Sequence, residues 1–316
     1  MKKSFNKIAL GLVILLGGAF NASAQQDPLS TLYIQNPASV NPGYSGSKEA
    51  LNATLSHREQ WVGFDGAPST TNFNIHSPIQ DKSLALGLGV YNDEIGPVTN
   101  TGFYVDVVYR FQVTRDGFLR VGLRGGGSLF NADFANVNTS QEQGNGSSTD
   151  PAFAQSISGE FLPTIGFGAY FSNQKFFGGI SVPSFLPNEV VPEGSQFASY
   201  RQNMHVHAMA GALVELNPQI FLKPSFAVRY TSGAPVALDV TANAIFFEKF
   251  GVGVMHRLGD SFGGILQFFL TEQFTLGYSY DYTTSDLGMY NNGTHEVMLS
   301  YDFIYRSSRI RSPRYF

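Results

Sequence analysis

The chain contains no cysteine, a single tryptophan and, at 14%, few charged residues. Without cysteine there are no disulfides, no thiolate zinc sites, no thiol nucleophile and no lipid-bearing cysteine. Charge at this level lies well below the roughly 25% of an average soluble domain. Mean hydropathy is −0.06, and beyond residue 24 no apolar run reaches the about 20 residues that a transmembrane helix needs. A bundle of transmembrane helices is thereby excluded. A disordered chain is excluded as well, because 43% of residues are hydrophobic and 14% aromatic. What is abundant is Phe (28), Tyr (15) and Gly (34) among 316 residues. Low charge, many aromatics and neutral mean hydropathy together indicate alternation, with apolar residues on one face and small polar ones on the other. That is the pattern of a β-barrel in lipid.

The first 24 residues carry an export signal. Lys2, Lys3 and Lys7 form a basic start, Ile8 to Phe20 is apolar, and Ala22-Ser23-Ala24 offers small residues at the cleavage positions, with Gln25 as the mature N-terminus. The formal charge of −4 comes from 20 basic and 24 acidic residues, and removing three lysines leaves 17 against 24, or −7. Arg306, Arg309, Arg311 and Arg314 crowd the last stretch, so residues 25–305 hold 13 basic and 24 acidic residues, or −11. No basic stripe runs through this body, which argues against nucleic acid as a partner.

Alternation of period two recurs along the mature chain. Leu51, Ala53 and Leu55 alternate with Asn52, Thr54 and Ser56, and Leu84, Leu86, Leu88 and Val90 alternate with Ala85, Gly87, Gly89 and Tyr91. Such spacing places neighbouring side chains on opposite faces of a sheet. Similar segments near residues 71–76, 102–111, 119–124, 161–171, 176–182, 204–216, 220–230, 236–247, 250–257, 261–270, 274–282 and 295–305 bring the expected strands to fourteen. An even number returns both termini to the periplasmic side. Short turns at Gln80–Lys82, Thr114–Gly117, Ser172–Gln174, Asn217–Gln219, Glu248–Lys249 and Thr271–Gln273 alternate with connections that are mostly longer. The longer ones are Glu59–Pro68, Asn92–Asn100, Asn131–Glu160, Pro183–Asn203 and Thr283–Thr294, while those near Thr231–Pro235 and Leu258–Asp260 are brief. Short periplasmic turns opposite longer outer loops are the usual asymmetry of outer-membrane barrels.

The expected fold is thus all-β, a transmembrane antiparallel β-barrel of the outer membrane with about fourteen strands. Residues 1–24 are the signal peptide, 25–49 an extended N-terminal segment, 50–305 the barrel and 306–316 a basic periplasmic tail. Inward positions carry mostly Gly, Ser, Asn and Thr with sparse charge. Fourteen strands leave a lumen wider than the filled interior of an eight-stranded barrel. Residues 25–49 either enter that lumen or lie on the periplasmic rim, and the sequence leaves both open.

Few residues suggest chemistry. In His57-Arg58-Glu59-Gln60-Trp61, Trp61 reads as an interfacial anchor and Arg58 with Glu59 as a rim ion pair. His205 and His207 share a face at i and i+2, a two-ligand pattern without an evident third ligand, and read as polar residues facing the lumen. Gly125-Gly126-Gly127 lacks the Gly-Lys-Ser/Thr of a phosphate loop and marks a bend or a close backbone approach. No nucleophile and base come together, so no enzyme and no cofactor are expected. The stretch 131–160 reads as a polar outer loop. Pro183–Asn203 carries Phe185, Leu186, Val190, Val191, Phe197 and Tyr200, and needs either the barrel mouth or a partner to pack on.

Three blocks go further. The first runs from Asn36-Pro37 to Asn41-Pro42-Gly43-Tyr44-Ser45-Gly46-Ser47. The second is Arg58-Glu59-Gln60-Trp61-Val62-Gly63-Phe64-Asp65-Gly66-Ala67-Pro68, followed by Thr70-Thr71 and His76-Ser77-Pro78. The third spans Gly293-Thr294-His295-Glu296 through Tyr301-Asp302-Phe303, with the tail Ser312-Pro313-Arg314-Tyr315-Phe316. In order and spacing these resemble the PorP/SprF-type outer-membrane proteins of the type IX secretion and gliding machinery of Bacteroidetes. One departure is His57, where the family pattern leads one to expect an aromatic residue. The resemblance implies a non-enzymatic outer-membrane component that acts in secretion or surface anchoring of cargo. Its partners would be outer-membrane lipid and secretion-machinery proteins (periplasmic ring or associated components), a large secreted adhesin, or both, with no small-molecule substrate. The motif residues Asn36, Pro37, Asn41, Pro42, Tyr44, Gly46, Arg58, Gln60, Trp61, Gly63, Phe64, Gly66, Pro68, His295, Glu296 and Tyr301, with Arg309, Arg311 and Arg314 of the tail, are the candidate contacts. Rim packing and loop anchoring stand beside partner recognition for them. The alternative function is an outer-membrane diffusion channel or hydrophobic-solute transporter.

Overall fold

In the computed structural model, residues 30–48, 50–79, 83–133, 156–190 and 200–303 are described. The expected signal peptide and cleavage site and the expected basic tail with Arg309, Arg311 and Arg314 lie outside them. Three short 3-10 turns come first: η1 (Leu32–Ile34), η2 (Pro37–Ser39) and η3 (Pro42–Tyr44). Seventeen strands follow: β1 (Leu51–Glu59), β2 (Ser69–Pro78), β3 (Leu84–Ile95), β4 (Val98–Gln112), β5 (Phe118–Ala132), β6 (Ile157–Ser172), β7 (Phe176–Val182), β8 (Asn188–Val190), β9 (Tyr200–Gln202), β10 (His205–Ala212), β11 (Val214–Asn217), β12 (Ile220–Thr231), β13 (Ala237–Phe246), β14 (Phe250–Arg257), β15 (Ser261–Phe269), β16 (Phe274–Thr283) and β17 (Thr294–Phe303).

Fifteen of them form one antiparallel sheet in which sequence neighbours pair, and β8 and β9 form a separate hairpin. β10 and β11 are two halves of a single wall strand broken at Leu213, and both pair with β12. The wall therefore has fourteen staves, as the alternation implies. β1 closes it against β17, from Leu51↔Phe303 to Glu59↔His295. A closed wall leaves no unpaired edge, the condition for crossing lipid with strands.

The two faces of the wall differ as period two requires. Leu86, Leu88 and Val90 on β3 and Phe103, Val105 and Val107 on β4 are exposed on the outside, while Tyr104, Asp106 and Val108 are buried within. Aromatic pairs such as Tyr109–Phe111, Phe246–Phe250 and Tyr301–Phe303, with ring centroids 4.6, 5.2 and 4.6 Å apart, ring the periplasmic end. Such girdles mark the lipid–water boundary of outer-membrane barrels.

On the outer side one expectation changes and one alternative is met. Residues 92–100 are not a long loop: β3 and β4 stay paired to Ile95↔Val98 and turn at Gly96-Pro97. In the described part of the apolar connection after β7, Val190 of β8 packs on the barrel mouth against Phe130, Ala132 and Leu162, with Tyr200 of β9 alongside; residues 191–199, with Val191 and Phe197, lie outside the described residues. Most of the expected outer loop 131–160 lies outside the described residues.

Candidate functional site

Of the segment read as extended before the first strand, residues 30–48 lie inside the barrel, coiled as η1–η3. Residues 30–47 contain no charged side chain. The wall supplies the charge instead: among the described residues ten charged ones are buried, Arg58, Asp106, Arg120, Arg124, Lys223, Arg229, Asp239, Arg257, Asp281 and Glu296. Lumen charge is thus not sparse, and it is aimed at the plug. Short 3-10 turns use few of their own carbonyls and N–H groups, so an uncharged segment can be held through its backbone.

At the outer end, Glu296 of β17 accepts from the Thr31 and Leu32 N–H groups at 2.7 and 3.3 Å. Arg58 of β1 donates to Glu296 at 3.0 Å and to Asp281 of β16 at 2.8 Å, while the Thr31 hydroxyl donates to Asp281 at 2.6 Å. Arg58 therefore does not pair with Glu59, which points outward toward His57. Successive strand residues face opposite sides, and this separates the two. Beside this cluster, Asp239 of β13 accepts from Arg257 at 2.9 Å, from Arg229 at 3.2 Å and from the Tyr33 hydroxyl at 3.0 Å.

Midway, Arg124 of β5 takes Asp106 of β4 at 2.8 and 2.9 Å and donates to the carbonyls of Ala38 at 2.7 Å and Ser39 at 2.9 Å. Its guanidinium lies 3.6 Å from the centre of the Tyr104 ring. Ser45 donates to Asp106, and Ser181 of β7 to the Val40 carbonyl. Apolar packing completes the seat: Tyr33, Ile34, Ala38 and Tyr44 meet Tyr170, Phe177, Met209 and Ala227, while Leu32 meets Met255, Ile265 and Met298. Burying each large apolar side chain contributes about 1.5–3 kcal/mol.

The Asn-Pro block is explained by this seat. Asn36 accepts from Asn74 at 3.1 Å. Asn41 caps its own turn by accepting from the Gly43 N–H and donates to the Ala169 carbonyl of β6. Pro37 and Pro42 open their turns, where a missing N–H costs nothing. Here wall and plug backbones nearly touch: a Cβ on Gly168 would lie 2.1 Å from Asn41 Oδ1, and one on Gly122 2.6 Å from the Pro42 carbonyl. Gly46 (φ +80°) donates to His76 at 3.1 Å.

The plug separates two vestibules. The outer one, floored by Tyr33, Asn36 and Ser39 and walled by Arg58, Asp93, Arg124, Gln202 and His207, encloses about 1190 Å³ of space open to solvent. The periplasmic one, bounded by Gln35, Tyr44, Lys48, Lys223 and Gln267, is smaller, with about 490 Å³ of space open to solvent.

The second block builds the outer rim. Gln60 and Pro68 are buried and close the first outer loop through Gln60 N–H to the Pro68 carbonyl. Val62 exchanges backbone hydrogen bonds with Gly293 and Asn292 of the last outer loop, and the Gly66 carbonyl accepts from Gly96. Trp61 is half-buried in a left-handed conformation (φ +46°), Gly63 is at φ +93°, and Phe64 is exposed. Of the candidate contacts His295, Glu296 and Tyr301 in the third block, Glu296 is the one that faces the lumen. His295 faces outward and meets the Tyr278 hydroxyl at 2.8 Å, and Tyr301 belongs to the periplasmic girdle.

His205 and His207 both face the lumen with ring centroids 6.5 Å apart. Among the described residues no group of three or more His, Asp or Glu side chains is arranged to hold a metal. The residues missed from sequence are Asp106, Arg124, Asp239, Arg257 and Asp281. Their signal was a charge at an inward position flanked by apolar outward neighbours, as in Val105-Asp106-Val107.

The family described as type IX secretion system membrane protein PorP/SprF matches residues 22–301. No curated protein matches. Among solved structures, the chain is similar to the CymD monoaromatic hydrocarbon channel at 13% identity, covering 92% of this chain and 96% of that one, with a TM-score of 0.49. A Pseudomonas aeruginosa FadL homologue is similar at 12% identity over 90% and 96% of the two chains (TM-score 0.46). Acinetobacter baumannii Omp33 is similar at 10% identity over 81% and 100% (TM-score 0.44). At this identity the likeness is one of fold.

Proposed function

The chain belongs to the PorP/SprF family of type IX secretion system membrane proteins, and from that premise we propose that it serves secretion or surface anchoring of cargo as a non-enzymatic outer-membrane component. Its partners are secretion-machinery proteins at the periplasmic rim and a large secreted adhesin at the outer rim. One observation above all supports this reading over a diffusion channel: the lumen is occupied by residues 30–47, which a solute path would have to displace. What such a barrel offers is its rims. The outer rim presents the Trp61–Phe64 turn tied to the last outer loop. The periplasmic side carries the arginine-rich tail. The motif residues then divide into two tasks, with Asn36, Pro37, Asn41, Pro42, Tyr44, Gly46, Arg58 and Glu296 seating the plug and Trp61, Gly63, Phe64 and Gly66 shaping a contact surface. A strain lacking the chain should fail to secrete or display at least one surface adhesin, read by surface proteomics. Normal display of every adhesin would refute the secretion role.

A further inference from the structure

Near the seam, the outward face of the wall turns polar before the strands end. Leu55 on β1, Leu88 on β3 and Val297 on β17 are exposed and apolar. The outward positions above them carry His57 and Glu59, Asn92 and Glu94, and His295. These polar side chains join across and along the strands: His57 meets Thr71 at 2.9 Å, Thr101 donates to Asn92 at 2.6 Å, and Asn92 donates to Glu94 at 2.7 Å. Hydrocarbon does not accommodate such a row, so it marks the outer edge of the apolar band. The connections above it stand in water.

An apolar patch is exposed there all the same. Met289 and Tyr290, at 76% and 67%, are the most exposed large apolar side chains among the described residues, and Phe64, Ile95 and Leu287 are exposed as well. The three connections that carry them are fastened to one another. The Trp61 N–H donates to the Thr294 hydroxyl at 3.2 Å, Val62 exchanges backbone hydrogen bonds with Gly293 and Asn292, and the Gly96 N–H donates to the Gly66 carbonyl at 2.9 Å. The Tyr280 hydroxyl holds the Asn292 carbonyl at 3.1 Å. Connections tied in this way have little freedom left to lose on binding. Aromatic, Met and aliphatic side chains held together in water have the composition of a contact surface. The surround carries charge of one sign. Residues 59–68, 92–101 and 283–294 hold five acidic side chains and no Lys or Arg, and Glu59, Asp65, Glu94 and Asp286 are exposed.

We propose that this patch docks a basic segment of a protein outside the cell, a segment that also bears apolar or aromatic side chains. Its apolar residues sit among Phe64, Met289 and Tyr290, and its lysines or arginines face the four exposed carboxylates. An acidic surround repels phosphate-bearing headgroups and selects a cationic protein. The inference rests on the outer rim being a contact surface and names the chemistry of what it contacts.

The full chain in nanodiscs would be panned with a peptide-display library, and the enriched peptides synthesised. The expected peptides combine net positive charge with Leu, Met or aromatic residues and bind less tightly as salt rises to about 0.5 M. Their Kd should weaken about tenfold against the double variant Met289→Ser with Tyr290→Ser, and by a similar factor against Asp65→Lys with Asp286→Lys. Heat-modifiable mobility on gels checks that each variant is folded. Peptides with no basic excess, peptides indifferent to both double variants, or a library that yields no binder overturn the proposal. The absence of native cysteine allows a second readout. A spin label on Tyr290→Cys should be relaxed more by a water-soluble nickel chelate than by oxygen. The reverse order places the patch in lipid and overturns its role in docking. Loss of adhesin display in a strain lacking the chain, with no peptide bound here, leaves the secretion role standing and removes only this surface.

Discussion

Arg124 divides one guanidinium between a wall carboxylate and two plug carbonyls. Removing it leaves Asp106, which is wholly buried, without its cation. Breaking such a pair costs about 3–5 kcal/mol, whereas replacing both partners by apolar residues costs less. Arg124→Met should therefore lower the heat-modifiability midpoint of the folded barrel on gels more than the double variant Arg124→Met with Asp106→Leu. A double variant as labile as the sum of the singles would contradict the pairing. Parity alone could have identified Arg58 as an inward residue and Glu59 as an outward one, but adjacency suggested a rim pair. The partners of Arg58, by contrast, stand 223 and 238 residues away, and nothing local in the chain reports them.

At the level of elements, the strands were legible wherever lipid enforces alternation. Where the wall rises above lipid that constraint lapses: Asn92, Asp93 and Glu94 still pair with Thr101, Asn100 and Thr99, yet their polarity reads as a loop. The plug was opaque for a different reason, since 3-10 turns of three residues impose no periodicity on side chains. The closeness of plug and wall makes it testable. Gly168→Ala places a methyl against Asn41, whereas a Cβ on Gly264 meets nothing within 4 Å. Overpacking of this kind costs about 1–3 kcal/mol, which raises the fraction of displaced plugs roughly ten- to a hundredfold. In planar bilayers Gly168→Ala should open conducting events more often by that factor, and Gly264→Ala should match the wild type. Equal conductance in all three would contradict a plug seated on these glycines.

For the whole molecule, charge is sorted by compartment. Among the described residues the buried interior holds six basic and four acidic residues, although the stretch 25–305 as a whole holds 13 basic against 24 acidic residues. The segment beyond Tyr305 has four arginines and no acidic residue to neutralise them, so its charge attracts an acidic periplasmic protein. Truncation after Tyr305 should reduce recovery of periplasmic partners in pull-downs and leave barrel assembly intact; unchanged recovery would remove the tail from the contact surface. One consequence concerns biogenesis. Thr31 is fastened to Glu296 and Asp281, across 265 and 250 residues, so the first-made part of the mature chain cannot settle until its last strands have arrived. Contacts of such long sequence separation form late and slowly. The plug is thus a completeness check: a barrel missing its final strands has an unlatched stopper, and only a finished wall carries a sealed one.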